Sequence, residues 1–224
     1  MGRILKDYKI AFMGQTGRGK TTLINALFGT QYSTNSVVEC TTYINSATIL
    51  NNDESIPYEA ITIMDTPGIG ASLKKDKLYR PYYLHVLESV DCIVWLTNME
   101  RTDYADQTFF LEYNKEIKKD TKLVVCINHI DKFTPQNIPD GFDNLEIWDE
   151  EKNCPTPLLN HFLYDNDDGR IEYFKEKFSE YITVPYELVP TNGFRKYGID
   201  NLKKAIFNWK MSKKQKLLKK LPLK

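Results

Sequence analysis

The stretch Gly14-Gln15-Thr16-Gly17-Arg18-Gly19-Lys20-Thr21 constrains this chain more than any other part of it. It follows the apolar run Ile10-Ala11-Phe12-Met13 and precedes a helical pattern, Leu23, Ala26 and Leu27, closed by Gly29. Strand, glycine-rich turn and helix is the context in which G-x-x-x-x-G-K-[ST] cradles phosphate. Glycines let the backbone curl so that successive N–H groups converge on one anion, and the helix N-terminus adds its dipole. Gly14, Gln15, Thr16, Gly17, Arg18, Gly19, Lys20, Thr21 and Thr22 are therefore the candidate phosphate-binding residues. Lys20 would reach the β- and γ-phosphates, and the Thr21 hydroxyl would be a magnesium ligand.

Around this loop the chain reads as alternating strands and helices. The first strand is expected over Tyr8–Met13 and the first helix to Phe28. Gln31–Cys40 is polar and aperiodic, so it reads as a mobile loop. Thr42–Leu50 and Glu59–Asp65 are β-prone runs separated by Asn51-Asn52-Asp53-Glu54, the turn chemistry of an antiparallel hairpin. A loop carrying Lys74, Lys75 and Lys77 would lead into a helix ending near Ser89. Cys92–Thr97 and Leu123–Ile127 are continuous apolar runs of the kind buried on both faces of a sheet. Asp103 would cap a helix to about Lys119 with Phe110, Leu111 and Ile117 inward. Residues 132–169, with Pro135, Pro139, Pro155 and Pro157, read as an irregular insertion within the segment between Asp131 and Tyr186, which is long for one helical crossover. Ile171, Phe174, Phe178 and Tyr181 mark a core-facing helix, Tyr186–Val189 a short strand, and Leu202, Ala205, Ile206 and Trp209 a last helix capped by Asp200. The expectation is an α/β fold, a P-loop NTPase three-layer sandwich whose mostly parallel sheet carries one antiparallel hairpin. One domain would span residues 1–209, followed by a basic tail at 210–224.

Two further motifs narrow the ligand. Asp65-Thr66-Pro67-Gly68 ends an apolar strand, so Asp65 would hold magnesium through water and the Gly68 N–H would donate to a γ-phosphate. Asn128-His129-Ile130-Asp131 resembles the N-K-x-D motif by which GTPases read guanine. A carboxylate facing the N1–H and 2-amino group accepts two hydrogen bonds that adenine does not offer. Asp131 would thus discriminate the base and Asn128 would tie the loop together. His129 replaces the usual lysine, and its imidazole could stack on the base instead. Val189-Pro190-Thr191-Asn192-Gly193 stands where a backbone N–H should touch the base, with Thr191 and Asn192 in place of the usual Ser and Ala.

The series GQTGRGKTT, CTT, DTPG, NHID and VPTNG resembles a translation-factor-class GTPase of the Era-like group over about residues 8–209. It is similar to a branch of predicted 50S-ribosome-binding GTPases that also resembles immunity-related GTPases. Trp148-Asp149 with Pro155-Thr156-Pro157, and Tyr197-Gly198-Ile199-Asp200-Asn201-Leu202, look like that branch as well. The resemblance implies GTP and GDP, Mg²⁺ and a switch cycle in which Thr41 or Thr42 closes onto magnesium, the two threonines being indistinguishable at this level. Lys20 and Arg18 would stabilise charge during transfer to water, Arg18 as an arginine finger in cis or across a nucleotide-dependent homodimer. Ile69 follows the D-x-x-G segment where some GTPases place a water-orienting glutamine, so slow intrinsic hydrolysis is expected. Gly17 occupies the position where potassium-activated relatives carry asparagine, which argues against potassium dependence.

Composition adds little against this. Hydrophobic residues at 42% suffice for a core and charged residues at 27% for a wetted surface. Cys40, Cys92, Cys126 and Cys154 are scattered without a C-x-x-C pair, and no signal-peptide core opens the chain, so a cytoplasmic setting is expected. Seven lysines and no acid lie in residues 210–224, which leaves the remainder with seven more acidic than basic residues. A basic tail of this kind offers a peripheral contact to ribosomal RNA or to a membrane surface. Two alternatives to a slow regulatory GTPase stay open: a nucleotide-gated binding module with negligible hydrolysis, and an ATPase or nucleotide kinase.

Overall fold

The structure, a computed structural model, describes residues 4–31, 44–52, 56–70, 73–99, 104–135, 140–142, 146–165 and 169–207. Among them a six-stranded sheet runs in the order β2-β3-β1-β4-β5-β8. Its strands are β1 (Ile4–Gly14), β2 (Asn45–Leu50), β3 (Tyr58–Asp65), β4 (Cys92–Asn98), β5 (Lys122–Asn128) and β8 (Tyr186–Pro190). All neighbours pair in parallel except β2 with β3, the expected antiparallel hairpin.

The continuous apolar strands are explained by strand periodicity, which sends successive side chains to opposite faces. Ile10, Phe12, Cys92, Val94, Leu96, Val124 and Cys126 enter one core with α1 (Lys20–Phe28) and α6 (Ile199–Phe207). Ala11, Met13, Ile93, Trp95, Leu123, Val125 and Ile127 enter the other. That second core is filled by α2 (Leu73–Ser89), α3 (Tyr104–Tyr113), α4 (Pro157–Tyr164) and α5 (Arg170–Ser179). Both faces are thus covered, and the sheet is the middle of three layers.

Several local expectations are corrected. Lys74, Lys75 and Lys77 already belong to α2, where Lys74 and Lys77 sit on its exposed side. Helix α3 stops at Tyr113 and tightens into a 3-10 turn, Asn114–Glu116. Asn114 there turns its amide to the Tyr181 carbonyl and accepts from the Thr183 N–H, a side-chain alternative to continuing the helix. Phe109, Phe110 and Tyr113 consequently face inward while Leu111 is exposed. Asp200 lies in the first turn of α6 rather than at its cap, because Leu202 N–H bonds to the Gly198 carbonyl and the helix begins earlier. Asp103, Trp209, residues 32–40 of the polar loop and the basic tail lie outside the described residues.

The largest difference is inside the segment expected to be irregular. Two short strands, β6 (Trp148–Asp149) and β7 (Cys154–Pro155), pair antiparallel and deliver the chain into α4. Thr156 is the N-cap of α4, its hydroxyl accepting from Leu159 N–H at 3.4 Å and donating to the Glu146 carbonyl at 2.7 Å. Pro157 takes the first helical position, where its missing N–H costs nothing. The prolines here start an element instead of interrupting one. Replacing Thr156 with Ala is expected to lower stability by about 1 kcal/mol, as cap losses do. A denaturant midpoint unchanged from the wild type would contradict the capping role.

Candidate nucleotide-binding site

Parallel strands end their carboxyl termini on one edge of the sheet, and every described candidate residue gathers there. Strand β1 runs into the glycine loop, which departs at Gly14 with φ 132° and continues through Gly17 (φ 81°) and Gly19 (φ 82°). A side chain at Gly14 would collide with the Leu96 carbonyl of β4, so the loop leaves the sheet hard against its neighbour. Helix α1 begins at Lys20.

Lys20 is 7% exposed and its ammonium donates to the Gly14 carbonyl at 3.0 Å and the Gln15 carbonyl at 3.1 Å. Burial pushes its pKa down to about 8, with Arg18 adding to the effect and Asp65 opposing it. Two of three ammonium donors are thereby placed, and the third remains for an anion. The Thr21 hydroxyl donates to Asp65 Oδ2 at 2.7 Å, and Asp65 is 1% exposed at the end of β3. A half-buried hydroxyl and a buried carboxylate, both hard oxygen donors beside a phosphate loop, fit a magnesium ion. Thr22 is half-buried one residue further along α1. Thr41 and Thr42 lie outside the described residues.

The Asp65–Gly68 segment lies directly on the glycine loop. Ile69 N–H donates to the Gly14 carbonyl at 3.2 Å, and Thr16 N–H donates to the Ile69 carbonyl at 3.3 Å. Gly68 is so close to Thr16 that a Cβ would overlap the threonine. Ile69, which stands in place of a water-orienting glutamine, is 6% exposed and belongs to the core shared by α2 and α3. Its apolar character therefore has a packing reason.

On the other flank, Asn128 ends β5 fully buried. Its Nδ2 donates to the Arg18 carbonyl at 2.9 Å, while its Oδ1 accepts from Thr191 Oγ1 at 3.2 Å and from Gly193 N–H at 3.1 Å. One side chain thus joins the glycine loop to the loop after β8. His129, held at φ 58°, brings its ring against Gly19 and bonds the Gly17 backbone. Burial, with the Lys132 and Arg18 charges, holds its pKa below the ordinary histidine value, so the imidazole is neutral near pH 7. Asp131 follows in a 3-10 turn, Ile130–Lys132.

Thr191 and Asn192 are buried beside Asn128, but their N–H groups are engaged within the protein. Thr191 N–H donates to the Ile127 carbonyl at 2.8 Å and Asn192 N–H to the Tyr197 carbonyl at 3.0 Å. A base contact through Asn192 N–H would require that bridge to open. Arg18, the candidate finger, lies back on the loop with Nη2 donating to Gln15 Oε1 at 2.6 Å. Two neighbours escaped the sequence reading. Asp106 accepts from Trp95 Nε1 and Thr97 Oγ1, each at 3.0 Å, and burial pushes its carboxyl up to about 6. Arg195 donates through Nε to Asp131 Oδ2 at 2.9 Å. Neither sits in a local motif, and only the folded chain brings them to the site.

The profile of the 50S ribosome-binding GTPase family matches residues 9–129, more than half of the chain. GTPase Era of Clostridium botulinum strain Alaska E43 is 33% identical over 153 residues, covering 67% of this chain and 48% of the relative. The uncharacterized protein YkfA of Escherichia coli K12 is 32% identical over 128 residues, 56% of this chain and 42% of the relative. The chain thus spans under half the length of these two relatives. Among solved structures, Era in complex with MgGDPNP and a 16S ribosomal RNA segment superposes with a TM-score of 0.64 at 23% identity, covering 92% of this chain and 57% of that one. Aquifex aeolicus Era bound to GDP·AlF4⁻ gives 0.62 at 21%, covering 93% and 58%. At those identities the likeness is one of fold.

The depressed Lys20 pKa carries a stability consequence. Between about 8 and the ordinary lysine value of 10.5 the unfolded chain binds more protons at this residue than the folded one. Stability from this group therefore rises with pH across that window. Nucleotide-free wild-type protein is expected to gain stability relative to Lys20→Met between pH 8 and pH 10.5, read by urea unfolding at stepped pH. A stability difference that stays flat or shrinks against the wild type would contradict the burial cost.

Proposed function

This chain belongs to the 50S ribosome-binding GTPase family, and on that premise we propose that it is a GTP-binding switch with slow, magnesium-dependent hydrolysis. The observation that carries the reading is the Asn128 side chain, which ties the phosphate loop at Arg18 to the base-side loop at Thr191 and Gly193. Phosphate recognition and base recognition are thereby held at a fixed separation, as a nucleoside polyphosphate requires.

In this reading Gly14 to Thr22 wrap the phosphates, with the Lys20 ammonium offering its remaining donor to the β- and γ-oxygens. Thr21 and Asp65 would hold Mg²⁺, joined by Thr41 or Thr42 from the segment before β2. The ion, when bound, supplies charge neutralisation on the phosphoryl oxygens. Gly68, packed against Thr16, would donate its N–H to a γ-phosphate. Arg18 would have to exchange Gln15 for a phosphate oxygen to act as a finger. Phosphoryl transfer to water depends on positioning and charge, and the Ile69 side chain can offer water neither a donor nor an acceptor. Slow turnover of the isolated protein is the consequence.

At the base, Asp131 would supply the paired acceptors for guanine, and His129 takes the motif position of the family lysine, its ring against Gly19. Titration with GDP and ADP tests the assignment: GDP is expected to bind more tightly, and tighter ADP binding overturns it. Single-turnover GTP hydrolysis is expected below roughly 1 s⁻¹ and to vanish in Lys20→Ala. Phosphate release indifferent to that substitution would leave the binding-module alternative standing.

The partner reading rests on the family and on the basic tail, where Lys213, Lys214, Lys216, Lys219 and Lys220 accompany Leu217, Leu218 and Leu221. We place a ribosomal RNA surface first, since clustered lysines bind the phosphate backbone in a salt-dependent way. Deleting residues 211–224 is expected to weaken ribosome pelleting at low salt, with little effect at high salt. Unchanged ribosome pelleting would overturn this reading; loss of liposome pelleting instead would point to a membrane surface. A nucleotide-dependent homodimer is carried only by the Arg18 finger in trans.

A further inference from the structure

A carboxylate reads guanine only if it presents acceptors to N1–H and to the 2-amino group together, so its orientation matters as much as its charge. The loop offers little other base discrimination, since the Thr191, Asn192 and Gly193 N–H groups are all engaged within the protein. The Thr191 hydroxyl is likewise turned to Asn128 and Cys126. Base discrimination therefore falls on the Asp131 carboxylate and on whatever orients it.

Among the described residues Arg195 is the hydrogen-bond partner of the Asp131 carboxylate, Nε to Oδ2 at 2.9 Å. Its guanidinium is fixed from two other directions and its backbone from a third. Nη1 and Nη2 fork onto Glu150 at 2.6 and 2.7 Å, the cation lies 4.9 Å over the Trp148 ring, and Arg195 N–H donates to Asn192 Oδ1 at 3.0 Å. Asn153 Nδ2 donates to the Arg195 carbonyl at 2.9 Å, so the turn between β6 and β7 grips backbone and side chain together. Trp148 is itself buried and set edge-on to Tyr197 at 5.4 Å. Asp131 Oδ1 is a buried acceptor with no partner among the described residues. A carboxylate carries about four lone-pair sites; one is used by Arg195, and the two that guanine needs remain.

We propose that Arg195 is a specificity-positioning residue: braced by Glu150 and Trp148, it locks the Asp131 carboxylate in the one orientation that accepts from both guanine donors. The inference rests on the guanine reading of Asp131. It gives the β6–β7 turn a role at the base, and it requires arginine, because a lysine point charge cannot bond Glu150 bidentately while donating sideways to Asp131.

The test uses the full chain and three probes: GDP, IDP, which lacks the 2-amino group, and ADP. Wild type is expected to bind GDP more tightly than IDP. Arg195→Ala is expected to weaken GDP roughly tenfold or more, the scale of losing a charge-assisted hydrogen bond, and to weaken IDP less, so the GDP/IDP ratio collapses. Arg195→Lys should fall between. Glu150→Gln, at a side chain 71% exposed, keeps the fold and should reduce the ratio by roughly two- to threefold. A merely structural arginine would lower the melting temperature and weaken GDP, IDP and ADP alike. An unchanged GDP/IDP ratio in these variants, with wild type preferring GDP over ADP, overturns the role of Arg195 alone. Wild-type preference for ADP overturns the guanine reading beneath it.

Discussion

The Asn128 side chain is the joint on which the candidate site depends. It is fully buried and spends its amide on both sides, donating to the glycine loop and accepting from the loop after β8. Groups of this kind are expensive to leave unpaired, about 1–3 kcal/mol each, so the two loops hold each other in place through it. The amide orientation follows from its partners, since a carbonyl can only accept and an N–H can only donate. Lys20 and the Thr21–Asp65 pair lie on one side of this joint, His129 and Asp131 on the other.

The sheet makes that joint possible. Strands β1, β4 and β5 are parallel neighbours, so their carboxyl ends meet at one edge, Gly14 beside Leu96 and Asn128 beside Asn98. Strict alternation of inward faces leaves both layers of helices supporting the same edge. Trp95, fully buried between Phe109 and Phe110, shows how far the aromatic packing reaches beneath the loops. The loops are therefore short spans between rigid ends.

What was legible in advance follows from this arrangement. The glycine loop, the Asp65–Gly68 turn and the Asn128–Asp131 segment each carry their chemistry within eight or fewer consecutive residues, and strand periodicity placed them at strand ends. The hairpin of β2 and β3 was equally local. Helix α4 was hidden although Thr156-Pro157 is a start signal, because neighbouring prolines read as breakers and a two-residue strand pair has no periodicity to detect. The early end of α3 depends on Asn114 meeting Tyr181 and Thr183, far along the chain. Arg195 was invisible for the same reason: its partners Asp131 and Glu150 are 64 and 45 residues away.

Ile69 joins the glycine loop to the core beneath α2 and α3 through a single residue. Its backbone is stitched to Gly14 and Thr16, while its side chain belongs to the cluster in which Tyr79, Tyr83 and Phe109 pack. Close-packed interiors pass displacement on rather than absorb it. The segment therefore behaves as a mechanical linkage. Any shift of the Gly68 backbone away from the loop has to be taken up by rearrangement under α2 and α3, and pressure applied to those helices is felt at the loop.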